Sequence, residues 1–84
     1  MNGINKIMEL KIKKGVYKHY KNKKEYRVLG VGRHTETDED VVVYEPLYEG
    51  SPVKYWIRPY DMFIEKVLSP ETGEKVDRFE FVGE

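Results

Sequence analysis

Cysteine is absent from this chain of 84 residues, which removes disulfides, thiolate nucleophiles and zinc–sulfur sites together. A chain this short must then hold itself by packing alone, and its length suffices for one small domain. No apolar run approaches the roughly 18–20 residues of a transmembrane helix. Met1 to Leu10 also lacks the continuous apolar core of a signal peptide, so a soluble cytoplasmic protein is expected. Histidine is scarce: His19 and His34 are the only two. Two such ligands do not make a metal site, and no metal or other cofactor is expected.

Net charge is missing too, but only in the sum. Residues 1–33 carry ten Lys or Arg against Glu9 and Glu25, whereas residues 34–84 carry five basic and thirteen acidic side chains. Such a split can mark a nucleic-acid-facing half. It can equally vanish when a small fold interleaves both halves and lets opposite charges pair locally.

What the chain does have is alternation and aromatic bulk, with seven Tyr, three Phe and one Trp. Met8, Leu10 and Ile12 alternate with charged residues, as in a half-buried strand. Gly15 to Tyr20 reads as a second extended piece. Lys21-Asn22-Lys23-Lys24 reads as a hairpin turn, with Asn22 best able to take a positive φ. Glu25 to His34 is a longer strand, with Tyr26 and Val28 on one face and Leu29 and Val31 on the other. Gly30 and Gly32 interrupt it, which suggests a bend or bulge. Thr35 to Asp40 is a loop. Val41-Val42-Val43-Tyr44, apolar on both faces, is expected to be the most central strand.

Turns follow at Pro46 and at Glu49-Gly50-Ser51-Pro52. Lys54 to Arg58 is the next strand. In it Trp56 and Arg58 share a face and Ile57 takes the other, until Pro59 ends the pairing. Pro59 to Met62 suits a type I or 3₁₀ turn, and Phe63 to Leu68 fits either a strand or a short helix. Pro70-Glu71-Thr72-Gly73 is a turn, and Val76 to Val82 ends the chain with alternating Phe79 and Phe81. The pattern predicts a mainly β fold, a small SH3-like barrel of five to six short strands with a short 3₁₀ turn. The barrel is expected over residues 15–84, with 1–14 an N-terminal extension that supplies a possible edge strand. The expected core is Tyr26, Val28, Val41, Val43, Leu47, Ile57, Phe63 and Phe79.

An ordered series of motifs runs through most of this pattern: Gly15-Val16-Tyr17-Lys18-His19-Tyr20, Tyr26-Arg27-Val28, His34-Thr35-Glu36-Thr37, Val42-Val43-Tyr44, Leu47-Tyr48, Trp56-Ile57-Arg58-Pro59, Met62-Phe63 and Arg78-Phe79. The series resembles the bacterial domain-of-unknown-function family 1653, from Gly15 to about Phe81. The resemblance implies a small, stand-alone, mostly β domain and carries no activity with it. The family's first hairpin usually has a glycine after the Tyr-Lys pair, where this chain has Asn22. Asn tolerates the left-handed region, so the turn is expected to survive.

Three groups of residues are candidates for function. His34 and Glu36, two apart at a strand end, share a face and suit acid–base work; alternatively His34 caps the strand while Thr35 and Thr37 hydroxyls satisfy backbone groups. Trp56 and Arg58, with Tyr44 on a neighbouring strand, form an aromatic–cationic shelf that can stack a ring or grip an anion. The alternative is that Trp56 lines the barrel while Arg58 pairs with Glu36 or Glu45. Lys18, Lys21, Lys23 and Lys24, within a basic tract from Lys11 interleaved with Tyr17 and Tyr20, have the composition of a phosphate-contacting edge. Lysines also protect an exposed edge strand from aggregation. Gly30-Val31-Gly32 is a poor dinucleotide motif, since no helix or third glycine follows.

The reading that results is a non-catalytic binding module whose candidate surface joins His34, Glu36, Tyr44, Trp56 and Arg58. Its partner is an unidentified ligand or protein, with no membrane involved, and the expected state is a monomer or weak dimer. A small enzyme using the His34/Glu36 pair and a weak nucleic-acid binder using the first hairpin are the alternatives.

Overall fold

Residues 12–84 are described by the structure, a computed structural model, and they form seven strands and one helical turn. β1 (Gly15–His19), β2 (Glu25–Arg33), β3 (Asp40–Pro46) and β4 (Trp56–Pro59) follow one another as antiparallel neighbours. After β4 come α1 (Tyr60–Phe63), β5 (Lys66–Leu68), β6 (Lys75–Asp77) and β7 (Phe79–Gly83). The main sheet has the order β4-β3-β2-β1-β7, and β5 and β6 make a separate two-stranded sheet. No helix among the described residues is long and apolar enough to cross a membrane.

Each strand owes its place to a period of two. Tyr17 on β1 sits opposite Tyr26 on β2 and Phe81 on β7, while Val28 and Trp56 flank Tyr44 on β3. Cross-strand partners share a face, so these side chains line one concave side. Phe63 closes that side from α1. It is 1% exposed, stacks on Phe79 at 4.1 Å between centroids, and meets Tyr17 and Tyr44 edge-on. Pro59 sets the entry, since its fixed φ of −50° with an extended ψ turns the chain out of β4 and into α1.

β1 begins at a backbone position that only glycine fits. Gly15 has φ of +140°, and a Cβ there would lie 2.7 Å from the Gly83 carbonyl oxygen. The missing side chain is what lets β1 and the end of β7 approach, next to the irregularity between Val16 and Tyr17 in their register.

Several expectations need correction. The sheet is open, not a closed barrel: β4 and β7 stand at its two edges. Seven strands replace five or six, because Val76 to Val82 breaks at Arg78 into β6 and β7. The helical turn is α rather than 3₁₀, and the stretch after it becomes β5. β2, not β3, lies in the middle of the main sheet. β3 is nonetheless covered on both faces, with Val42 at 0% exposure inside and Val41 at 7% outside.

In the core, Val42 takes the position expected of Val43, and Tyr17 and Tyr44 join it. Ile57 is 56% exposed because it alternates away from Trp56 and Arg58, and Leu47 is exposed because it falls just past the end of β3. A bulge between Val28 and Gly30 changes the parity of β2, so that Val31 pairs with Val42 and shares its face instead of the opposite one. In the first hairpin Lys23, not Asn22, takes the positive φ (63°), while the Asn22 Oδ1 accepts the Lys24 N–H at 2.7 Å. The expected edge strand around Met8 and Leu10 lies outside the described residues. Ile12 packs half-buried against the core without belonging to a strand.

Candidate functional site

Register brings Tyr44, Trp56 and Arg58 together. On β4 the side chains of Trp56 and Arg58 point to the concave face, opposite Tyr44 and Val42 of β3. They form one wall of a concavity of about 170 Å³, and Tyr26, His19 and Phe79 from the next strands form the other. Trp56 stays 36% exposed at its rim, whereas Tyr44 is buried.

The floor is a set of edge-to-face rings. Tyr44 meets Tyr26 and Phe79, each at 5.5 Å, and Tyr26 meets Tyr48 at the same separation. Such geometry places the positive ring edge on the negative face of its neighbour and adds about 0.5–1.5 kcal/mol per pair beyond area burial. Hydroxyls are tied down as well: the Asn22 amide donates to the Tyr26 hydroxyl at 3.3 Å, and the Tyr26 and Tyr48 hydroxyls lie 3.4 Å apart. Burial, followed by the hydrogen bond to Tyr48, pushes the Tyr26 phenol above its ordinary pKa, so it stays neutral. The rings are therefore held in place by one another and by their hydroxyl contacts.

Arg58 provides the one cationic fork in this apolar setting. Its Cζ stands 5.4 Å from the centre of the Phe79 ring, and its Nε donates to the Tyr44 hydroxyl at a long 3.4 Å. Among the described residues no carboxylate comes within ion-pair distance of it. The other arginines all have one: Arg27 meets Glu45, Arg33 meets Asp40, and Arg78 meets Glu65. The alternative pairing of Arg58 with Glu36 or Glu45 is not formed.

His19 was not singled out from the sequence, yet it completes the far wall. Its Nδ1 accepts the Lys21 N–H at 3.1 Å, which leaves the proton of the neutral ring on Nε2. Burial lowers its pKa below the ordinary imidazole value, and the positive charges of Arg58, Arg78 and Lys21 lower it further. A histidine among cations, with an arginine that has no acid partner among the described residues, makes a locally positive pocket. No local pattern in the sequence marks His19, whose place comes from its pairing with Phe79 across β1 and β7.

His34 and Glu36 are elsewhere. They lie in the β2–β3 turn, at the end of β3 away from Tyr44. The His34 Nδ1 accepts the backbone N–H groups of Glu36 (3.0 Å) and Thr37 (3.3 Å), and the His34 backbone bonds Glu39 and Asp38. The ring thus satisfies the turn, in the way expected of the Thr35 and Thr37 hydroxyls. Glu36 meets His34 through its amide, not its carboxylate, and is exposed. The five-residue surface divides into a three-residue wall and a turn.

Two lysines of the first hairpin face acids across a cleft. Lys18 and Lys23 border a cleft of about 450 Å³ whose other bank carries Glu71, Glu74 and Asp77. Lys23 lies 3.9 Å from Glu71, and Lys24 sits over the Tyr48 ring at 4.3 Å. Lys21 donates its backbone N–H to His19. Among the described residues there is no group of three or more acidic or histidine side chains placed to hold a metal.

Comparison with known proteins extends what the geometry gives. No curated protein matches the chain. A crystal structure of a DUF1653 protein from Bordetella bronchiseptica is similar, with 36% identity over 92% of each chain and a TM-score of 0.79. The family model described as "protein of unknown function (DUF1653)" matches residues 15–81, most of the sequence. This chain belongs to the DUF1653 family.

Proposed function

We propose that this protein is a non-catalytic binding module, and that the concavity between β4 and β1 receives an anionic group joined to a flat or apolar one. The observation that carries this reading is Arg58: a half-buried guanidinium set among aromatic rings, with no carboxylate within ion-pair reach among the described residues. A fork of donors in such a place favours an acceptor brought from outside. Size narrows the occupant further. About 170 Å³ is well below the roughly 300–1,000 Å³ of drug-sized pockets but ample for one ring or side chain. The strand order β4-β3-β2-β1-β7, with α1 following β4 in the chain, supports an SH3-like reading of the fold.

Titration of isotopically labelled protein with benzoate, benzyl alcohol and benzylammonium tests the proposal. Benzoate is expected to shift the Trp56 indole N–H and the Arg58 side-chain N–H, with benzyl alcohol weaker and benzylammonium weakest. Charge-assisted hydrogen bonds contribute about 1.5–3 kcal/mol, so Arg58→Gln should weaken benzoate at least about tenfold. Equal binding of benzylammonium, or shifts confined to the β2–β3 turn, would reject it.

A further inference from the structure

The open edge of β4 adjoins this concavity, and the two features together point to a class of partner. Among the described residues β4 pairs only with β3, and none of their backbone hydrogen bonds outside the ladders involves Trp56, Ile57 or Arg58. Exposed edges are usually guarded by lysines, bulges or a covering element. Here the single charge of the strand, Arg58, turns to the concave face, and Pro59 limits free pairing to the three residues before it. The surroundings are apolar as well. Of the ten large apolar side chains exposed among the described residues, five (Leu47, Val53, Tyr55, Trp56 and Ile57) belong to β4 and the connection leading into it. Concentration of such groups in one stretch marks an interaction surface.

We propose that this edge takes an extended segment of a partner polypeptide as an added strand, with a carboxylate side chain of that segment received by Arg58. The proposal rests on the reading of the Arg58 concavity as a binding site. Strand addition uses the edge N–H and C=O groups for affinity and pockets beside alternate side chains for selection. Cross-strand neighbours stand about 4.5–5.5 Å apart at Cβ, so an acid on the concave side of the added strand falls within reach of the Arg58 fork. Its neighbours in sequence would point the other way, beside Ile57, where apolar side chains fit. A second copy of this chain is a poorer occupant. Pairing two β4 edges brings Trp56-Ile57-Arg58-Pro59 against itself, which supplies another guanidinium and no acid.

A backbone-cyclised hairpin whose free strand reads Thr-Val-Glu-Val-Thr is a suitable probe, since it presents the extended form already ordered. Added to the labelled full-length protein, it is expected to shift the Trp56, Ile57 and Arg58 amides and to slow hydrogen exchange at the edge amides of β4. The Gln counterpart should bind at least tenfold more weakly, and Arg58→Gln should abolish that preference. N-methylation of the free strand's backbone should remove binding. If the methylated hairpin binds equally well, or if the Glu hairpin fails to bind while benzoate still does, strand addition is wrong and the anion pocket stands. If neither binds, both readings fall. Concentration-dependent β4 shifts in the free protein, with the mass of a dimer, would give the edge to a second copy and also overturn the proposal.

Discussion

Arg58 and His19 sit on opposite walls of one pocket, and their energetics differ in kind. Arg58 touches a ring and a hydroxyl, contacts that at a half-exposed site amount to about 0.5–1 kcal/mol. Arg58→Lys and Arg58→Ala should therefore lower the melting temperature by less than about 8 °C, while both weaken benzoate. A larger fall in thermal melts would mean that Arg58 braces the fold. His19 titrates instead. Its folded pKa is lowered, so above the ordinary value of about 6.5 the ring is neutral in both states and its contribution is fully present. As pH falls from there through the lower folded value, the unfolded chain takes up the proton first and stability declines. His19→Asn keeps an acceptor for the Lys21 N–H and removes the titration, so its unfolding free energy should be flatter between pH 7 and 5 than that of the wild type in urea melts. The same scale shows what local pattern can give. Trp56 and Arg58 share a face, as their spacing requires. Which of Val42 and Val43 points inward depends on register with β2, which a run of three valines does not encode.

The elements carry their information mostly at their ends. Pro59 and the turns at Lys21 to Lys24 and Pro70 to Gly73 were legible as places, whereas the residue of positive φ in the first turn, Lys23 in place of Asn22, was not. Strand parity was not: the bulge after Val28 moves Val31 to the other face, and two glycines nearby announced an irregularity without fixing its position. The division of the candidate surface has the same origin. His34 and Glu36 lie at one end of the β2–β3 ladder and Tyr44 near the other, a distance set by pairing and not by motif. Gly15 gives an element-scale test. An added methyl would meet the Gly83 carbonyl oxygen at 2.7 Å and the Phe81 ring at 3.0 Å on a backbone of φ +140°, and neither of these is the far end of a flexible side chain. Gly15→Ala should cost about 1–3 kcal/mol, while Gly50→Ala, also at positive φ but with open space around it, should cost less. Urea melts of the two variants measure the difference. Equal losses would show that backbone strain alone, and not the β1–β7 approach, governs Gly15.

At the scale of the whole molecule the opposed charges of the two chain halves meet in space. Lys23 from the basic half reaches Glu71, Arg27 reaches Glu45, and Arg33 holds Asp40 from the acidic half. These pairs are exposed or half-exposed, and each adds little to stability. Their consequence is electrostatic: the positive surface of the first hairpin is broken up by the acids of the β5–β6 hairpin across the cleft. A nucleic-acid-binding face needs several lysines free to displace counterions, and affinity then falls steeply with salt. Lys18, Lys21, Lys23 and Lys24 should accordingly give only weak binding to single-stranded DNA or RNA oligonucleotides, lost as ionic strength rises from about 50 to 150 mM. Fluorescence anisotropy across that range checks it. Glu71→Lys and Glu74→Lys together turn one bank of the cleft basic, and the double variant should bind more tightly with a steeper salt slope. If the unaltered protein already binds with micromolar affinity at about 150 mM salt, the pairing across the cleft does not limit the hairpin, and the basic half is the interface that its composition suggests.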